Sequence, residues 1–593
     1  MHRLLIFYLS FLSISILAQD KKWETKFEHS NFLETLTYAE CIAFSKKIAG
    51  ASPMVNFKEM GKSPQHRAIP LLIVDKDGYT NPQDIKKAGR VILFVQAGIH
   101  AGEPDGTDAG FMLLRDLLFK NKAPEIFDKV SILFIPSFNV DGLARMNPYN
   151  RINQNGPIEM GWRTNSRNLN LNRDYMKADS PEMRAWLKIF NEYLPDIFVD
   201  CHTTDGADYQ YVATYALETF GNMDKDLTNW VQQTYEPFLV EIMKQKSTPI
   251  FPYVSFRNWH DPRSGLMRGV GTPMISQGYT ALQNRVGLLI ETHMLKPYKD
   301  RVFATYNMLF ATLKTMYQDA NKLMALNHAA DVKMSSEKWR PKKLTIRYET
   351  DMQDSSKTQF LGKEYKIVKS DLTGGDWFQY SNINKSFQLE LFEKQKATEV
   401  VDLPLAYIIP VEWKDIHEII KAHGIYYFIT KEPKDVNIES YKFTNQKWAA
   451  HSFEGHQNLQ SFDIKSEERI AHYEAGAMVV PVSQRALKVL VYLLEPKADN
   501  SLVSWGFFNS TMERKEYAET YVMEKMAREM IAKDSNLYDE FILWKTNHPE
   551  LAKNQFAQTM WFYKKTPYWD AKKDVYPIGR LMNEEELFKL GLH

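Results

Sequence analysis

His100 and Glu103 stand three residues apart in "FVQAGIHAGEPDGTDAG", Phe94 to Gly110, where an apolar run gives way to glycines. An imidazole and a carboxylate at that spacing can converge on one metal ion if the loop turns sharply, as Gly98 and Gly102 allow. A catalytic zinc takes three protein ligands, usually histidine and carboxylate, and keeps a fourth position for water. His202, at the end of "DIFVDCH", is the natural third ligand. A lone histidine is more often a satisfied core residue, but three segments arriving at one rim favour the metal. The spacing by itself is a weak signal: with 15 histidines, about one His-x-x-Glu is expected by chance, and the chain holds two. The second, His451 and Glu454 in "AAHSFEGHQN" with His456 nearby, follows no buried strand and reads as a solvated loop.

Hydrolysis also needs a base and a place for negative charge. Glu291 ends the apolar run "VGLLI", which would partly desolvate its carboxylate and raise its pKa towards that of a general base. His293 lies on the same strand face by the period of two, as a partner of the site or as surface. Earlier in the chain, between "KVSILFIPSFN" and "DIFVDCHT", "GWRTNSRNLNLNRDYMK" is dense in arginine and asparagine. It is either a polar surface loop or a carboxylate-binding segment, because arginine's fork meets a carboxylate at two points and asparagine adds a neutral donor.

Four apolar runs must position these groups: "RVILFVQAG", "KVSILFIPSFN", "DIFVDCHT" and "VGLLIETH". Each is nearly continuous in Val, Ile, Leu and Phe, the pattern of strands buried on both faces. After Asp105 the spacing changes to Phe111, Leu114, Leu117 and Leu118, one stripe of a helix. Strand, loop and helix in that order predict an α/β fold with a mixed, largely parallel sheet flanked by helices. Ligands in such sheets gather beyond the carboxyl ends of the strands. The runs end at His100 and Glu103, at Asn139 and Asp141, at Cys201 and His202, and at Glu291 and His293, so these groups are expected to share one site.

Taken in order, the segments resemble the zinc metallocarboxypeptidases typified by pancreatic carboxypeptidases A and B. "HAGE" is similar to the family's zinc-binding His-x-x-Glu, "FNVDG" to its Asn-Pro-Asp-Gly with Val140 for proline, and "GWRTN" to its Trp-Arg-Lys-Asn. "LNLNRD", "DCH" and "LLIETH" complete the series over roughly residues 25 to 325. The resemblance implies one zinc ion on His100, Glu103 and His202, with Glu291 as catalytic base. Arg163 would polarise the scissile carbonyl and stabilise the oxyanion. Asn172 and Arg173 would hold a peptide's free C-terminal carboxylate. Tyr279, in "SQGYTALQNR", is the nearest candidate for the family's substrate-closing tyrosine, while His260 and Asp261 are candidates for lining the side-chain pocket.

Beyond the motifs, 593 residues with 44% hydrophobic and 13% aromatic content can fill two or three domains. The 74 Lys and Arg nearly cancel 73 Asp and Glu, leaving no global field for nucleic acid or an anionic membrane. "MHRLLIFYLSFLSISILAQD" reads as a signal peptide over residues 1–18. It predicts a secreted or periplasmic protein with no stable membrane insertion after cleavage. Cys41 and Cys201 are the only cysteines, too few for a disulfide framework. A catalytic domain over 25–325, a linker over 326–343 around "SSEKWRPKK", and a β-rich C-terminal region with helices over 344–593 are expected. In the last, "WKDIHEIIKAHG" reads as a helix closed by Gly424, "ALKVLVYLLEP" as a buried strand, and "ERKEYAETYVMEKMAREMIAKD" as an amphipathic helix. The expected function is an exported zinc carboxypeptidase. The alternatives are a related zinc amidase or deacylase acting on peptidoglycan stems or acylated amino acids, and a non-catalytic peptide-binding protein.

Overall fold

The computed structural model describes residues 22–204 and 206–591, so the signal peptide expected over 1–18 lies outside the described residues. The first sheet takes its strands from β1 (Val55–Lys62), β2 (Ala68–Val74), β3 (Val91–Ala97), β4 (Val130–Ile135), β5 (Ile197–Thr204), β6 (Ala213–Leu217) and β7 (Ile250–Pro252). After a hairpin of β8 (Ser255–Asn258) and β9 (Asp261–Met267), β10 (Val286–His293) returns to it. The order is β1-β2-β4-β3-β5-β10-β6-β7. The four apolar runs are its central strands β4, β3, β5 and β10, all parallel, with β2 and β6 antiparallel beside them. Every residue of β3, β4 and β5 is buried, which is why these runs carry no polar alternation.

Helices cover both faces. Asp105–Phe119 follows β3 and packs with the 38-residue helix Tyr298–Ser335 on one side. Gly106 permits the close approach to β5: a Cβ there would lie 2.4 Å from Cys201 Cβ. Over the other face lie Pro181–Tyr193, whose Trp186 is fully buried, and elements from the second half of the chain. Phe94, Trp186 and Phe198 share one core with Ile416, Leu487 and Leu490.

That shared core corrects the expected linker. The helix Tyr298–Ser335 runs through the first ten residues of 326–343, and Arg340 beyond it is buried. The C-terminal region is strand-rich as anticipated, with β11 (Lys343–Thr350), β12 (Ser356–Lys369), β13 (Asp376–Phe392) and β14 (Gln395–Asp402). β12 and β13 form a long hairpin that pairs with β9 of the first half. A six-stranded sheet follows from β15 (Ala406–Ile409), β16 (Phe428–Ile429), β17 (Lys434–Trp448), β18 (Leu459–Tyr473), β19 (Met478–Pro481) and β20 (Gly579–Leu581). Lys414–Ala422 is the expected helix, with Gly424 at φ +65° after it. Thr520–Lys533 is helical, burying only Met523 and Ala527. "ALKVLVYLLEP" is not a strand: Leu487–Leu494 is a helix buried at all eight positions. An unbroken apolar run fits a helix buried all round as well as a buried strand, and tertiary packing chose between them. Cys41 and Cys201 are buried free thiols, and no described helix is long and apolar enough to cross a membrane.

Candidate metal centre

Three strand ends build the centre. Past β3 the backbone turns at Gly98 (φ +65°), where the Asn139 N–H donates to the Gly98 carbonyl at 2.9 Å and ties this loop to the one after β4. The Glu103 N–H then donates to the His100 carbonyl at 2.9 Å, closing a turn whose first and last side chains face each other. His202 comes from β5. One donor atom from each of His100, Glu103 and His202 lies within 4.8 Å of the others, and all three side chains are buried. His100 Nδ1 is 3.1 Å from Glu103 Oε1, and His202 Nδ1 is 3.0 Å from Glu103 Oε2. Two imidazoles and a carboxylate in a tight buried triangle fit the donor set of a catalytic zinc.

The second nitrogen of each ring is also held. His100 Nε2 is 2.9 Å from Asn170 Oδ1, and His202 Nε2 is 2.9 Å from Asp200 Oδ2. Asp200 Oδ1 accepts in turn from Gln96 Nε2 at 3.0 Å. Such partners fix ring orientation and, for the carboxylate, raise ligand basicity. Burial lowers the pKa of His100 to about 4, whereas for His202 burial is outweighed by Asp200 and Glu103, which raise it. For Glu103, burial opposes ionisation but is outweighed by His100 and Arg151, so its carboxyl is held well below the usual range. Asn170 and Asp200 were not anticipated. Asp200 had a signal, since strand residues two apart share a face; Asn170 had none.

Glu291 and His202 are register partners on β10 and β5. Paired residues project to the same face, so the carboxylate stands beside the metal triangle. Both line a cavity of about 630 Å³ that also takes in Arg163, Asn172 and Arg173. Of the other residues expected at the site, Cys201 packs against Gly106, Asn139 and Asp141 act from behind, and three further groups lie elsewhere. Tyr279 is fully buried in the helix Ser276–Leu282, bonded to His423 Nδ1 and Gln283 Nε2 at 2.8 Å each, and does not line the cavity. Tyr253, 40% exposed, lines it instead. His260 and Asp261 lie away from it at the β8–β9 turn, where Asp261 accepts from the Tyr365 hydroxyl. His293 is neither surface nor site: it is buried, with Nε2 2.9 Å from the Ala207 carbonyl.

Asn139 and Asp141 serve the site indirectly. Asn139 Nδ2 donates to the Arg163 carbonyl at 3.1 Å, and the Trp162 N–H donates to the Gly142 carbonyl at 2.8 Å. A Cβ at Gly142 would come within 2.5 Å of the Trp162 carbonyl oxygen, so "FNVDG" is the seat of "GWRTN". Asp141 accepts from Ser63, Arg67 and Ser166 at 2.6–2.7 Å. Arg163 keeps 42% of its side chain exposed while its guanidinium lies 3.7 Å from Glu103 Oε1. Arg173 is more enclosed: burial, then repulsion from Arg163, pulls its guanidinium below its ordinary pKa. Arg151, unanticipated, donates to Glu103 Oε1 at 2.7 Å.

The sequence that supplies these residues is similar to known proteins. Residues 41–239 match the family model described as zinc carboxypeptidase. Carboxypeptidase 2 of Trichophyton rubrum is 21% identical over 485 residues, covering 78% of this chain and 82% of the relative, and that of Trichophyton tonsurans is 21% identical over 481 residues. Among solved structures, carboxypeptidase A of Helicoverpa armigera matches with a TM-score of 0.37 at 15% identity, over 48% of this chain and 74% of its own. A metallo-carboxypeptidase of Pseudomonas aeruginosa, solved with (2-guanidinoethylmercapto)succinic acid, matches with a TM-score of 0.35 at 18% identity, over 48% and 68%. The triangle of His100, Glu103 and His202 thus lies within the span that is similar to the zinc carboxypeptidase family.

Proposed function

We propose that the protein is an exported carboxypeptidase, acting with one zinc ion on the last peptide bond of substrates with a free C-terminal carboxylate. The observation that carries this reading is the convergence of Glu291, Arg163, Asn172 and Arg173 on the cavity that holds the His100, Glu103 and His202 triangle. Bound zinc would supply Lewis acidity to a carbonyl and bring the pKa of a water towards neutrality. Glu291 takes the proton of the attacking water and passes it to the leaving amine nitrogen. Arg163 faces the carbonyl oxygen as negative charge develops there, a contribution of a few kcal/mol in comparable sites.

Arg173 and Asn172 set the register. Their charge and amide meet the terminal carboxylate, so that cleavage falls at the final bond. Asn172 is 8% exposed, and its amide would donate to the carboxylate through Nδ2. Export rests on the signal-like stretch before Asp20. Metal analysis with a panel of peptides bearing free, amidated and D-configured termini tests the reading. We expect stoichiometric zinc, chelator-sensitive release of a free terminal residue, and loss of activity on amidation. Activity indifferent to amidation would point to an amide hydrolase of another register.

A further inference from the structure

Asn170 is where two parts of the centre are tied together. It opens the single 3-10 turn Leu171–Arg173, with its Oδ1 accepting from the Asn172 N–H at 3.0 Å. The same oxygen faces His100 Nε2 at 2.9 Å. One short side chain therefore sets both a metal ligand and the Asn172 and Arg173 pair. It can do so only if the Asn170 backbone is itself fixed. That backbone N–H donates to Glu454 Oε2 at 2.8 Å, a group 284 residues further along the chain.

Glu454 lies in the connection between β17 and β18, which docks on the catalytic domain at more than one point. Phe453 and His456 exchange backbone hydrogen bonds of 2.9 and 3.0 Å, and Phe453 stacks on Trp505 at 5.9 Å. His456 Nε2 sits 2.7 Å from Asp179 Oδ2. Glu454 itself is in the left-handed region at φ +49°, followed by Gly455 at φ +80°. A non-glycine residue stays in that region where its surroundings over-determine it. Its charge also acts on Arg173.

We infer that Glu454 is a positioning residue of the metal centre, supplied by the C-terminal region, which holds the Asn170 turn so that the His100 ring and the Arg173 fork keep their places. The second His-x-x-Glu of the sequence thus serves the first without binding metal. For Arg173 the inference rests on the proposed carboxypeptidase reading; for His100 it does not.

The test uses the full chain as wild type, Glu454→Ala, Glu454→Gln, Asn170→Ala and the Glu454→Ala/Asn170→Ala double variant. Zinc affinity is read by competition with a chromophoric chelator, KM and kcat on a free-carboxylate peptide, and melting temperature beside them. Glu454→Ala is expected to weaken zinc binding about three- to tenfold, less than loss of a direct partner of a ligand, and to raise KM more than it lowers kcat. Glu454→Gln keeps an oxygen acceptor and should stay within about twofold of wild type. The double variant should be no weaker than Asn170→Ala alone, because both changes act on one path. Wild-type zinc affinity in Glu454→Ala overturns the inference. So do losses that add in the double variant, which would mark a general structural role even if Glu454→Ala melts early. A wild type that binds zinc but cleaves no peptide would sink the proposed reaction and leave the chelator competition still decisive.

Discussion

Glu291 of β10 sits in register with His202 of β5, one strand apart and on the same face of the sheet. A one-residue slip of β10 would turn that carboxylate away from the metal triangle. The register is secured from the other side as well, since β10 also pairs with β6, where Thr214 Oγ1 donates to the Glu291 carbonyl at 3.3 Å.

Glu291→Gln preserves shape and removes the proton acceptor. We expect kcat to fall by at least about a hundredfold, the lower end for loss of a general base, with zinc content unchanged by elemental analysis. A variant that retains most of its turnover would remove Glu291 from the chemistry.

Asp200→Asn addresses the ligand rather than the base. Asp200 Oδ2 lies 2.9 Å from His202 Nε2, and an amide there would hold the ring with less charge. Zinc affinity in chelator competition should drop about 10- to 100-fold, with partial recovery of activity in excess zinc.

Arg173→Gln should discriminate between substrates. Loss of a charge-assisted bond worth about 1.5–3 kcal/mol raises KM for a free-carboxylate peptide about ten- to a hundredfold. Residual hydrolysis of the amidated peptide should be unmoved. An equal loss on both peptides would count against the carboxylate clamp.

His423 couples the two halves of the chain, and its burial gives it a pH signature. Its Nε2 is 2.9 Å from the Met176 carbonyl and its Nδ1 2.8 Å from the Tyr279 hydroxyl, a pattern that suits the neutral ring. Burial lowers its pKa from 6.5 to about 4. Because the folded value is depressed, its contribution is fully present above the unfolded pKa and is lost as pH falls towards about 4. The full difference is on the order of 3 kcal/mol. Glu182 and Glu218, raised to about 7 chiefly by burial, act in the opposite sense at higher pH, so the informative quantity is a difference. The gap in melting temperature between wild type and His423→Gln should be widest near pH 7 and shrink by pH 4.5. A gap independent of pH would contradict the assignment.

Local physics made much of this legible. A strand buried on both faces advertises itself by unbroken Val, Ile, Leu and Phe, so β3, β4, β5 and β10 and the polar residues at their ends could be read directly. Arg163, Asn172 and Arg173 came from the resemblance of "GWRTN" and "LNLNRD" to family motifs, since the segment's composition suits a polar surface loop equally well, and the cavity brings them together. Where two folds satisfy the same pattern, the sequence could not choose, as at the helix Leu487–Leu494.

The two His-x-x-Glu segments mark the boundary most clearly. His100 and Glu103 face each other because Gly98 turns the chain at the end of a buried strand, and β5 brings His202 alongside; Glu454, at the same spacing from His451, faces the Asn170 backbone instead. Tyr279 and Tyr253 differ in the same way, one sealed in the core and the other on the cavity wall. By itself the sequence determined which elements form and which side chains lie at their ends, because burial period and turn residues act between near neighbours. Only the tertiary structure decided which of those ends meet in one buried triangle, and which distant residues hold them, because such contacts join groups 70 and 284 positions apart that no local spacing records.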